Sequence, residues 1–166
     1  FLFRSISSDH DILGLMFVFM TLYFFVVAWQ SNKLKSKVLF ALLAAFVTIL
    51  GFNTAGNIKV FVMVVALFTI IHVVLDTVKK SDLYVYPVWY LTTFFVLFLT
   101  NKVTIRSMLS DYTSGTPAII AFLSLVVYYI FVHTNLNKIE IYKKALTKLP
   151  RGFLVFLSTA VLGFIF

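Results

Sequence analysis

The chain contains no cysteine among its 166 residues, which excludes disulfides, thiolate nucleophiles and Cys-ligated zinc or iron–sulfur sites. Charge is scarce as well: Asp, Glu, Lys and Arg together make up 12%, against about 25% in soluble domains. Acids are the scarcest charged class, with six Asp and Glu set against 14 Lys and Arg. Because 61% of the residues are hydrophobic, a water-soluble core is excluded and no stretch is left over for a separate aqueous domain. Catalytic signatures are missing too: there is no H-E-x-x-H, no Gly-rich phosphate loop and no G-x-S-x-G. This speaks against catalysis by the chain on its own.

Six nearly uncharged runs are present, at 12–29, 38–53, 60–76, 84–100, 117–133 and 153–166. As helices at ~1.5 Å per residue, all but the last reach about 24–27 Å, close to the hydrocarbon thickness of a bilayer. The sequence therefore predicts an all-α polytopic membrane helical bundle, a single integral membrane domain over 1–166 with about six transmembrane helices. The 20 phenylalanines suit a lipid-facing exterior. The start at Phe1 and the end inside a short apolar run at Phe166 read as trimmed termini.

Counting charge by alternate loops gives a test that is independent of hydrophobicity. One side collects Lys33, Lys35, Lys37, Lys79, Lys80, Lys138, Lys143, Lys144, Lys148 and Arg151, and the other holds Arg4, Lys59, Lys102 and Arg106. The acids divide evenly, with Asp76, Asp82 and Glu140 facing Asp9, Asp11 and Asp111. The positive-inside rule then places the Lys-rich loops in the cytoplasm or an organelle matrix and both termini on the opposite side of a cell or organelle inner membrane. The net charge of +8 reads as this asymmetry plus attraction to anionic headgroups.

Local patterns add detail. Ser8-Asp9-His10-Asp11 has capping-box spacing and predicts the start of the first span. Ala44, Thr48 and Gly51 form a stripe of small side chains suited to close helix packing. Pro87, among Tyr84, Tyr86, Trp89 and Tyr90, predicts a kink or helix restart inside an aromatic belt at headgroup depth. Thr116-Pro117 fits an N-cap followed by Pro at the first helical position. Over 137–149, Ile139, Tyr142, Leu146 and Leu149 recur at helical spacing while Lys138, Lys143, Lys144 and Lys148 take other faces. That segment reads as a short basic interfacial helix contacting lipid through these lysines and Arg151.

Two constellations are candidate sites. His72 and Asp76 stand four residues apart on one predicted helix face, and His72 with His133 could hold a cofactor such as haem, or a metal, if their helices were neighbours. Asp9, His10 and Asp11, joined from the outer loop by Asp111 and Tyr112, offer oxygen and nitrogen ligands for a divalent cation. No carboxylate, Lys or Arg occupies the middle of any apolar run, which argues against proton- or sodium-coupled transport.

Ser8-Asp9-His10-Asp11-Ile12 resembles the amino-terminal segment of the haem-copper oxidase catalytic subunit, without a downstream set of haem- or copper-ligating histidines. His72-Val73-Val74-Leu75-Asp76 resembles the His-x-x-x-Asp elements of succinate dehydrogenase membrane anchors, without the surrounding Gly and Arg residues. Each resemblance covers one short segment and carries over no site.

The expected role is a non-catalytic integral membrane subunit that scaffolds or stabilises a larger complex, in contact with membrane lipids and other membrane subunits and not with nucleic acid. A small-solute binding or permease component, lined by Thr92, Thr93, Asn53, Tyr128 and Tyr129, is one alternative. The other is the membrane subunit of a redox or metal-dependent enzyme complex.

Overall fold

The structure is a computed structural model that describes residues 2–54 and 58–133, with 152, 153, 155, 157 and 159 of the last segment. Side chains are described from Ile12 to Phe131 within the main part of the chain. Among the described residues the fold is all-α, with α1 at Leu2–Gln30, α2 at Leu34–Thr54, α3 at Ile58–Val74, α4 at Val85–Leu99, α5 at Ile105–Ser110 and α6 at Gly115–His133.

Three helices are long and apolar enough to cross a membrane: Ile12–Gln30 within α1, Leu34–Thr54, and Asp82–Leu99, which joins a 3₁₀ turn to α4. These point to membrane integration. Six full spans are not seen among the described residues. The runs at 60–76 and 117–133 correspond to the shorter apolar helices Ile58–Val74 and Gly115–Phe131. The basic helix expected over 137–149 lies outside the described residues, as does most of the run 153–166, where the described positions are helical.

Several boundaries differ from the sequence expectation for identifiable reasons. Because α1 is continuous from Leu2, Ser8 falls inside the helix and not at its start. Pro87 falls in the first turn of α4, where its missing N–H costs no helical bond, and the predicted restart takes the form of the 3₁₀ turn Asp82–Tyr84. α6 begins at Gly115, so Pro117 again sits in a first turn, two residues later than predicted. α3 stops early. The amide of Asp76 donates to the Val73 carbonyl and that of Thr77 to the His72 carbonyl, a Schellman closure with Asp76 at a φ of 55°. Asn101 closes α4 in the same way, also at a φ of 55°, its short polar side chain tolerating the left-handed conformation.

α1 packs antiparallel on α2, which also carries α4, and α3 packs on α6. The predicted small-residue stripe is the inner face of α2: Ala41, Ala44, Ala45, Thr48 and Gly51 are all buried. The aromatic belt is not where the sequence placed it. Only Tyr84 is exposed, while Tyr86, Trp89 and Tyr90 are buried beside Phe25 in the bundle centre. Phe25 meets Trp89 edge-on at 5.7 Å and Tyr86 at 6.4 Å. The two fully buried polar tips find acceptors: Trp89 Nε1 donates to Thr48 Oγ1 at 3.1 Å and Tyr86 OH to the Ala118 carbonyl at 2.9 Å. The outward faces are apolar, with Ile12, Leu15, Phe19 and Tyr23 on α1, Leu39, Leu42, Phe46 and Leu50 on α2, and Leu91, Phe95 and Phe98 on α4 all exposed.

Two glycines mark close approaches of different stiffness. A Cβ at Gly51 would meet the side chain of Ile58, which can turn aside, whereas one at Gly115 would strike the backbone of Met108 in α5. Gly115→Ala is therefore expected to lower the thermal unfolding temperature in detergent clearly more than Gly51→Ala does. Equal shifts would show that α5 moves freely against α6.

Candidate functional site

Chain direction gathers the end of α1, the start of α2, the end of α3 and the turn before α4 at one end of the bundle. A cavity of about 340 Å³ opens there, lined by Trp29, Gln30, Ser31, Asn32, Lys37, His72, Thr77, Lys79, Ser81 and Asp82. Its floor is a buried ion pair. Lys37, in the first turn of α2, donates from Nζ to Asp82 Oδ1 at 2.5 Å and to the Trp29 carbonyl at 2.9 Å. The two side chains are only 2% and 3% exposed. Asp82 is held in turn by the Lys79 amide, which donates to Oδ2 at 3.0 Å, and by Ser81 Oγ at 3.3 Å from Oδ1.

In the charge count Lys37 and Asp82 are ordinary loop charges, whereas in the fold both are buried. The signal was the position of Lys37 inside the apolar periodicity of α2, four residues before the small-residue face begins at Ala41. Nothing local to Asp82 names its partner, 45 residues away.

His72 lies at the cavity wall, its ring 4.2 Å from that of Phe68 and 5.1 Å from that of Trp29. Nδ1 is 3.2 Å from the Phe68 carbonyl, which fits an N–H donating back within α3. Asp76 does not share a helical face with His72, because α3 ends before it; it accepts instead from Tyr128 OH of α6 at 2.7 Å. His133 closes α6, and its side chain lies outside the described residues. The side chains of Asp9, His10 and Asp11 also lie outside them, and the described residues contain no cluster of three metal-ligating side chains.

Asp111, expected to join that cation site, is spent elsewhere. Its Oδ1 accepts from the amide and hydroxyl of Thr113 at 3.0 and 2.5 Å, and Oδ2 accepts from Ser114 Oγ at 2.9 Å and faces Lys59 Nζ at 3.2 Å. Tyr112 points outward, 80% exposed. Of the residues suggested for a solute lining, Thr92 is half-buried and Tyr129 is exposed. Asn53 is exposed at the end of α2 farthest from the cavity, Thr93 is buried, and Tyr128 turns to Asp76.

Compared with protein-family models, curated proteins and solved structures, the chain matches none of them.

Two measurements test the ion networks. Lys37→Met leaves the Asp82 carboxylate buried without its cation and is expected to cost about 3–5 kcal/mol in detergent unfolding. The double variant Lys37→Met/Asp82→Leu should recover most of that loss, and a double variant as unstable as the single one would contradict the assignment. Burial tends to raise the pKa of Asp111, but hydrogen bonds from Thr113 and Ser114 and the Lys59 ammonium outweigh it and hold the carboxyl well below its usual range. Because the folded pKa is the lower one, the associated stability is present above the unfolded value of about 3.9 and fades as pH falls below it. The stability gap between wild type and Asp111→Asn should thus narrow below about pH 4; a gap independent of pH would refute the network.

Proposed function

We propose that the chain is an integral membrane protein whose six apolar runs all enter the bilayer, with its Lys-rich end cytoplasmic or in an organelle matrix, and that it serves as a non-catalytic subunit of a larger membrane complex. In this reading the shorter helices α3 and α6 cross with local thinning or snorkelling of flanking lysines, each at modest cost. The segment carrying Lys138, Lys143, Lys144, Lys148 and Arg151 lies on the inner leaflet against anionic headgroups. The outward apolar faces of the helices meet lipid and neighbouring subunits.

The observation that supports a scaffold over a permeation path is the filled bundle centre. Phe25, Tyr86, Trp89, Tyr90 and Phe94 pack there with their rings in contact, and the polar cavity is confined to one end. Among the described residues, a rigid aromatic interior holds helix positions fixed for partners to pack against, and it leaves no water-lined route for a solute between them.

Because the chain has no cysteine, single cysteines report topology cleanly. Lys102→Cys should react with a membrane-impermeant maleimide in intact cells or organelles, and Lys80→Cys only after permeabilisation; the reverse pattern would overturn the orientation. Mild detergent extraction should yield the chain with the same membrane polypeptides in fixed proportion. A chain that purifies alone and monodisperse would sink the subunit reading.

A further inference from the structure

The Lys37 ammonium has three donors, and the structure accounts for two of them, on Asp82 Oδ1 and the Trp29 carbonyl. The third belongs to a charged group that is 98% removed from solvent yet lines the cavity. Asp82 does not compete for a ligand's donors, because Lys37, Ser81 and the Lys79 amide already occupy both of its oxygens. The same lining includes Gln30, Ser31, Asn32 and Lys79, whose side-chain donors bond to nothing else among the described residues. With Lys37 and Asp82 cancelling, Lys79 leaves the lining with a net positive charge. The site is thus built to receive acceptor oxygens carrying negative charge, arriving from several directions at once.

We propose that this cavity binds a phosphate-type anion, either the headgroup phosphate of an anionic lipid or free inorganic phosphate. A phosphate offers oxygens on all sides, so one can take the spare Lys37 donor while others meet Lys79 and the amides of Gln30 and Asn32; a carboxylate has only two oxygens on one edge. Size agrees. A water molecule's share of the liquid is about 30 Å³, so 340 Å³ holds a phosphate together with its first ester substituent. Position agrees as well, on the membrane reading proposed above: the cavity lies at the end of the bundle, at headgroup depth, where Lys33, Lys35 and Lys80 add further positive charge. The buried pair fixes the Lys37 head in place, so binding orders only the rim side chains.

The test uses the full chain purified in an uncharged detergent, with thermal unfolding followed in three arms: inorganic phosphate, short-chain phosphatidylglycerol, and an uncharged short-chain diacylglycerol. Lys37 is avoided as a probe because its loss endangers folding. Lys79→Gln and Asn32→Ala, both exposed positions, are used instead. Stabilisation by phosphate or phosphatidylglycerol but not by diacylglycerol is expected, weakened roughly tenfold in half-saturating concentration by Lys79→Gln and less by Asn32→Ala. A response to phosphatidylglycerol alone assigns the lipid headgroup, and one to phosphate alone assigns the free anion. No response to either, or an equal response in the variants, overturns the site. Because inorganic phosphate needs no bilayer, this readout is independent of topology and of partner subunits.

Discussion

The buried contact between Lys37 and Asp82 is a constraint that the packing of the apolar helices has to satisfy. In a chain whose helices are greasy on nearly every face, hydrophobic burial alone discriminates poorly among rotations and registers. An ion pair 2–3% exposed has essentially one acceptable geometry, since either charge left alone in that environment is costly. By also taking the Trp29 carbonyl, Lys37 ties three segments together at one point: the end of α1, the first turn of α2 and the turn that launches α4. That a polar pair supplies specificity here is a hypothesis, and the rescue expected of the double apolar variant bears on stability, not on uniqueness.

Farther along α2 the same economy of polar contacts continues. Thr48 Oγ1 donates to the Ala44 carbonyl within its own helix and accepts from Trp89 of α4, so one hydroxyl sets the rotation of two helices. Tyr86 does the same between α4 and α6 through the Ala118 carbonyl. Each such bond contributes only about 1 kcal/mol net, but an alternative packing would leave the buried indole N–H or phenol unpaired, and that penalty is larger. The small residues of α2 let the backbones come close enough for these bonds to form.

What could be read from the sequence follows from the range of the forces involved. The all-α class, the apolar helices and the packing face of α2 are local properties of composition and period, and they emerge directly. The Schellman closures at Asp76 and Asn101 and the capping box of α5, where Thr104 and Ser107 bond reciprocally, are local too, but they use Asp, Asn and Ser in place of the usual Gly and Glu. The destination of the aromatics was misread because Trp and Tyr suit either an interface or a core with acceptors. Only the tertiary positions of Thr48 and Ala118 decide between them. The cavity was invisible for the same reason. Lys37 and Asp82 are separated by 45 residues, and in a charge count each looks like one more loop residue.

The two ends of the bundle are built differently, and the difference has a physical consequence. At the far end, α5 folds back onto the start of α6 so closely that Gly115 touches the Met108 backbone, and Asp111 spends both of its oxygens on Thr113, Ser114 and Lys59. The carboxylate there has both of its oxygens satisfied by neighbouring groups. At the near end, the polar groups are held apart around 340 Å³, and the one carboxylate that lines that space among the described residues is already neutralised by Lys37. A closed end resists deformation, while an end with unspent donors gains stability only when something supplies the acceptors. The expected response of this protein to its surroundings is therefore polarised along the bundle axis, with anion-dependent ordering at the Lys37 end and an acid-labile network at the Asp111 end.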